Sequence, residues 1–334
     1  MPRIRVNLDS FPRNNPWNLL NHRILIDVPL AELVHAAITV GHPDYSAVLG
    51  GGSFAAAYES IWKAASTLMT IQPGYPPRLS SYLMTGRFAN LDPSEKRGAT
   101  YQLGLTLNKL LAQRLFGVPW LRHFDVYAHQ VTPRMSSSRS RPDLFGMDTA
   151  GNWYVFESKG RVSKPSLHAC NRAKAQASRV VSINGIQPRL AASCFAFFRY
   201  LPRSDVRYLE CLLEDPPIGD KGDMDNGNLK RHQVEASPDE FILNYYKTIH
   251  PLFADRAVRE VDGFLEWNSP EFDLLIRYDV RIFRAVNDRA ADGIREVVSD
   301  SFRESNVGPG VSIKDGIQVF PGERWKKLHQ EYEE

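Results

Sequence analysis

The chain has 334 residues, 43% hydrophobic and 24% charged, with a formal net charge of +3 and three cysteines. That length carries two domains, or one large domain with additions, and enough apolar residues for a core that needs no disulfide scaffold. Cys170, Cys194 and Cys211 form no C-x-x-C pair, which argues against a zinc ribbon and for a reducing compartment.

The first fifteen residues are charged and lack an apolar h-region, so they do not resemble a secretory signal. The longest uncharged stretch, near residues 46–58, is too short to span a bilayer. A cytoplasmic protein with no membrane partner is therefore expected.

Residues 1–90 read as mostly helix and loop. Helical apolar spacing predicts helices over 30–40 and 53–71, the second with Ser53 as N-cap. The Gly50-Gly51-Gly52-Ser53 turn lacks the lysine of a phosphate loop and is read as a plain loop. A proline-rich connection follows over 73–82.

Asp92, Pro93 and Glu95 stand where N-cap, first residue and third residue of a helix belong. This helix is expected to run to about Leu115, stopped by Gly117 and Pro119. Alternation predicts a strand over 124–133, then a polar loop over 134–140. Two strands, 142–147 and 153–158, are joined by a turn at 148–152 in which Asp148 is read as a turn residue.

A helix is predicted over 163–183, with Leu167, Cys170, Ala173, Ala177 and Val180 as its buried stripe. Strands follow at 194–200 and 206–213. Residues 216–240 read as a long polar loop, whose Asp220, Asp223 and Asp225 lack the spacing of a calcium loop. Helical pieces at 240–253 and from 323 onward flank a strand-like run at 272–283. The expected organisation is a mostly helical region over 1–90, a core over 91–215 and an α+β region over 216–334.

The charge is unevenly placed. Residues 134–179 hold nine Lys/Arg against three acids. At the centre of this window, Glu157 and Lys159 are two apart on a strand and so point the same way. Pairing across the turn brings Asp143 beside them. Two carboxylates with a main-chain carbonyl form a partial all-oxygen cage, which suits Mg²⁺ or Mn²⁺.

Pro142-Asp143, thirteen further residues, then Glu157-Ser158-Lys159 resembles the PD-(D/E)xK nuclease superfamily. The resemblance implies a restriction-endonuclease-like α/β fold. Its mixed sheet core is flanked by helices, in the order helix, three antiparallel strands, helix, strand, and here carries additional N- and C-terminal segments. It implies Asp143 and Glu157 as metal ligands, with Ser158 lending its carbonyl. Lys159 would be the catalytic lysine, and Gln176 the glutamine that many members carry on the following helix.

Members often place a glutamate on the first helix, and the equivalent here is read as Gln102. His168, Arg172, Gln176 and Arg179 share one helix face, and together with Arg139, Arg141 and Arg161 they suit a phosphate backbone. The expected activity is Mg²⁺- or Mn²⁺-dependent hydrolysis of phosphodiester bonds in DNA, with RNA not excluded, by an endonuclease in a restriction or antiphage setting. A homodimer or a protein partner in a defence complex fits that setting. The alternative is an inactive nucleic-acid-binding or assembly subunit that retains the fold.

Overall fold

The computed structural model describes residues 1–9, 11, 22–41, 52–74, 80–124, 141–215, 232–254, 258–304 and 314–328. The protein is an α/β fold around a mixed sheet. The chain opens with β1 (Arg3–Asp9) and β2 (Arg23–Asp27), then α1 (Leu30–Thr39) and α2 (Gly52–Thr70). Two short strands, β3 (Ile71–Pro73) and β4 (Tyr82–Met84), precede the one-turn α3 (Gly86–Ala89).

The long α4 (Pro93–Phe116) leads into β5 (Trp120–His123), β6 (Leu144–Met147) and β7 (Trp153–Arg161). Then come α5 (Leu167–Ala177), β8 (Val180–Ile183), β9 (Leu190–Tyr200) and β10 (Arg207–Glu214). Among the described residues the main sheet has nine strands, in the order β2-β1-β10-β9-β7-β6-β5, with β4 joined to β10 and β3 to β4.

The strands β5, β6 and β7 form an antiparallel meander. α5 then crosses over, and β9 lies parallel to β7, with Glu157 opposite Ser193 and Lys159 opposite Phe195. The two sheet faces are covered by different helices. Gly160 abuts the backbone of Thr100 on α4, whereas Phe195 and Phe197 pack under Cys170 and Ala173 of α5. Side chains alternate along a strand, so Glu157, Lys159 and Arg161 emerge on the α5 side.

The expected cap of α4 is present. The Asp92 carboxylate accepts from the Ser94 and Glu95 amides, and the Glu95 side chain accepts from the Asp92 amide. Gly117 closes the helix at φ 67° in the left-handed region.

Other expectations change. β1 and β2 are strands of the sheet, where helix and loop were predicted; Ile4, Val6 and Leu8 alternate inward with Arg3, Arg5 and Asn7. β5 lies at 120–123, ahead of the predicted strand, whose residues beyond Phe124 fall outside the described ones. α5 ends at Ala177, because the chain turns at 178–179 and Val180 enters β8, paired with β11 (His232–Val234). Leu167 is exposed at the first turn of α5 and does not join its stripe. Asp220, Asp223 and Asp225 lie outside the described residues.

The C-terminal part holds α6 (Pro238–Tyr246) and α7 (Pro251–Ala254), then an antiparallel sheet. Its strands are β12 (Arg259–Val261), β13 (Phe264–Ser269), β14 (Leu274–Asp279) and β15 (Ile317–Pro321). The helices α8 (Val280–Asn287) and α9 (Ala291–Glu304) lie between β14 and β15, and α10 (Glu323–Leu328) follows.

This part is tied to the core through the fully buried Asp315. Asp315 pairs with His35 of α1 at 2.9 Å and accepts from Tyr245 of α6 at 2.5 Å; Lys109 of α4 lies 3.6 Å away. Burial would raise the Asp315 pKa, but His35, Lys109 and Tyr245 more than offset it and hold the group ionised.

Candidate active site

The turn after β6 is ordinary. Asp148 accepts from the amides of Ala150 and Asn152 and from the Tyr154 hydroxyl, each at 2.9 Å, and Gly151 supplies the positive φ. Asp148 is thus occupied as a turn residue.

The charged residues gather at the far end of the hairpin. Asp143 precedes β6, and its carboxylate accepts from the Ser158 amide at 2.9 Å. The Asp143 amide in turn donates to Glu157 at 3.1 Å. These reciprocal bonds fix the two carboxylates side by side. The Lys159 ammonium lies 3.4 Å from Asp143 and forms a direct ion pair with the other oxygen of Glu157. Glu157 is fully buried, while Lys159 and Asp143 keep part of their side chains open to solvent.

The electrostatics follow from that placement. Burial, then the neighbouring Asp143 charge, push the Glu157 pKa up to about 8; Lys159 offsets only part of this. For Lys159, burial pulls the pKa down, but the two carboxylates outweigh it and hold the ammonium above its ordinary range.

Two adjacent oxygen ligands, one of them penalised for being ionised, form a donor set that a hard divalent cation fits, since such a cation favours the ionised carboxylate. Among the described residues no group of three or more His, Cys, Asp and Glu side chains converges. Two carboxylates nonetheless match the small protein share of an Mg²⁺ shell.

The other predicted residues fall at varying distances from this point. Gln176 of α5 donates to the Arg141 carbonyl at 2.6 Å and so braces the segment leading to Asp143. His168 and Arg172 are exposed on α5, and Arg141 and Arg179 are half-buried. Arg161 is exposed, with its guanidinium 5.9 Å from the Phe195 ring centre. Ser158 gives its amide to Asp143, and its hydroxyl is buried toward the α4 side. Arg139 lies outside the described residues.

Gln102 is not brought to the site. Gly104 is the α4 residue that meets the Lys159–Gly160 backbone, and Gln102, two residues earlier, lies about 200° round the helix from it. α4 itself covers the sheet face opposite Lys159.

The sequence reading missed His123. Its ring nitrogen lies 3.2 Å from the Asp143 carbonyl and its ring stacks on Tyr101 of α4. The signal was the register of the β5–β6 pair, and the misplaced β5 concealed it.

No family model matches the chain, and neither curated proteins nor solved structures give a match. No described helix is long and apolar enough to cross a membrane.

The folded state keeps a proton on Glu157 up to about pH 8, while an unfolded glutamate loses it near its ordinary value of 4.5. Stability of the protein without added metal is therefore expected to fall as pH rises from about 5 to about 8. Cation and proton compete for the same carboxylate, so Mn²⁺ affinity should tighten roughly tenfold per pH unit below pH 8 and then level off. Titration calorimetry across this range checks it; Glu157→Gln should flatten the profile. A parent protein with a flat profile would show that Glu157 does not hold the ion.

Proposed function

We propose that the protein is a divalent-cation-dependent nuclease of the PD-(D/E)xK kind that hydrolyses phosphodiester bonds in DNA. The observation that carries this reading is the meeting of Asp143, Glu157 and Lys159 on one sheet face. The order α4, β5-β6-β7 meander, α5, parallel β9 supports a restriction-endonuclease-like core around them.

In this reading Asp143 and Glu157 hold Mg²⁺ or Mn²⁺. The cation would supply Lewis acidity and neutralise charge at the phosphate. Lys159 acts as a fixed positive charge: an ammonium held above its ordinary pKa range is a poor proton acceptor near neutrality. It is therefore suited to the charge that builds on the phosphate oxygens in the transition state. Gln176 keeps Asp143 in place through the Arg141 carbonyl. Arg161, Arg172 and His168 lie on the same side of the sheet and suit the substrate backbone.

A restriction or antiphage role is an analogy with how such cores are used. The second reading, an inactive binding subunit, draws on the ion pairing of Lys159 with both carboxylates. Plasmid cleavage by the purified protein in Mg²⁺ or Mn²⁺ separates the two. DNA binding without cleavage under any metal would favour the second reading.

A further inference from the structure

Helix α2 buries its charged residues among small and apolar ones, Ala55, Ala56, Ala64 and Leu68. Its buried side carries Glu59 and Lys63, 5% and 2% exposed, together with Ser60, Thr67 and Thr70. Glu59 and Lys63 pair at 2.9 Å. The Lys63 ammonium also donates to the Val40 and Gly41 carbonyls, at 3.1 and 2.9 Å, at the C-terminal end of α1. Thr67 hydrogen-bonds to Thr106 of α4. Burial pulls the Lys63 pKa down, with Glu59 opposing it.

The outer side carries Phe54, Tyr58 and Trp62, which are 72%, 56% and 47% exposed. These residues are four apart and form one stripe, with the exposed Ala65 beside it. Both charged residues of the helix lie on the buried side. A surface helix ordinarily does the opposite, and a contiguous exposed apolar face marks an interaction site.

A cavity of about 260 Å³ opens at one end of the stripe, between Trp62, Ser66 and Met69 of α2 and Thr85 and Arg87 near α3. Phe54 stands at the other end as a protruding knob. In an antiparallel pairing of two α2 helices about an axis near residue 60, position 58 faces 62 and position 54 faces 66. Each Phe54 then enters the cavity of the other copy, and each Tyr58 lies on the other Trp62. An apolar cavity of about 150 Å³ already accepts benzene, so a phenylalanine ring fits.

We propose that this face of α2 joins two copies of the chain in a twofold, knob-into-cavity dimer. A twofold contact requires a patch complementary to itself, and the spacing of Phe54 from the cavity supplies that. Aromatic side chains offer roughly 150–250 Å² each. At the observed exposures, the six rings of a dimer supply on the order of 700 Å². That is more than half of the roughly 1,200 Å² at which stable interfaces begin, and the helix flanks between the rings supply more. A nucleic-acid stacking platform or a membrane-surface helix would set Lys or Arg along the apolar face; here Arg87 lies at the cavity end, and α2 itself exposes no Lys or Arg along the stripe. The inference is independent of the nuclease reading.

Sedimentation of the full chain tests it, with Tyr58→Glu and Trp62→Glu as variants and circular dichroism as the check on folding. The parent should be dimeric at micromolar concentration, and each variant should weaken the dimer by about 100-fold or more. Disulfide trapping tests the register. A mixture of Y58C and W62C chains should cross-link as a heterodimer faster than either alone; Cys170, Cys194 and Cys211 are buried and should not compete. A parent that stays monomeric at about 100 µM overturns the proposal. So does a dimer that survives both glutamate variants, or trapping with no preference for the 58–62 pair.

Discussion

Asp143→Ala is expected to abolish Mg²⁺-dependent plasmid cleavage, by about 10³-fold or more, while the protein stays folded. The Asp143 carboxylate accepts from the Ser158 amide, pairs with Lys159 and supplies half of the carboxylate pair. Its removal relieves the like-charge pressure on Glu157, so the fold should lose little. Lys159→Ala should cost about 10²–10⁴-fold, because it removes one stabilising charge and leaves both carboxylates. The two variants should also differ in metal binding. Asp143→Ala should weaken Mn²⁺ binding, whereas Lys159→Ala leaves both carboxylates and should tighten it only at a pH high enough to ionise Glu157, since the lost ammonium also helped to ionise that group. If either variant cuts plasmid as fast as the parent, the catalytic assignment at this site is wrong.

The parts of the fold that local chemistry determines were legible in the sequence. The Asp92–Glu95 capping box and the left-handed Gly117 bound α4 correctly, because a cap is made by adjacent residues. The β6–β7 hairpin was legible for the same reason, through its turn and the spacing of Asp143, Glu157 and Lys159. β1 was also readable in principle: Ile4, Val6 and Leu8 alternate with Arg3, Arg5 and Asn7. It was missed because one of its two neighbours in the sheet, β10, lies about two hundred residues away in the chain, so no local turn signals that pairing.

The orientation of α4 was not legible. This helix is buried on most sides, with Gln102, Asn108 and Lys109 inside along with its leucines. No polar face therefore distinguishes the side that meets the strand from the side that meets α2. Gln102 was assigned to the site on position alone, and only the Gly104–Gly160 contact shows that it faces elsewhere. α2 misled differently. Its apolar periodicity marks a helix correctly, but does not show that Phe54, Tyr58 and Trp62 stay exposed while Glu59 and Lys63 are buried.

Gly160→Ala is expected to be the most damaging glycine-to-alanine change among the described residues. A Cβ at Gly160 would lie 1.6 Å from the Thr100 carbonyl oxygen and 2.2 Å from its carbon, both backbone atoms of α4. On the facing side, a Cβ at Gly104 would lie 2.8 Å from the Gly160 nitrogen. Helix and strand thus meet backbone to backbone, and no side chain can rotate away to make room. Relief requires α4 to move off the sheet as a body.

The cost should therefore exceed the roughly 1–3 kcal/mol of ordinary overpacking. Lys159 is the adjacent residue, so the shift also reaches the site, where about 1 Å of misplacement costs on the order of 10²-fold in rate. Gly98→Ala is the control on the same helix. A Cβ there meets nothing within 4 Å, and replacing a helical glycine by alanine should stabilise by about 0.5–1 kcal/mol. Urea midpoints for the two variants and the parent provide the comparison. If Gly160→Ala unfolds at the parent's midpoint, α4 does not lie against β7 as described, and the packing that presents Lys159 on the opposite face falls with it.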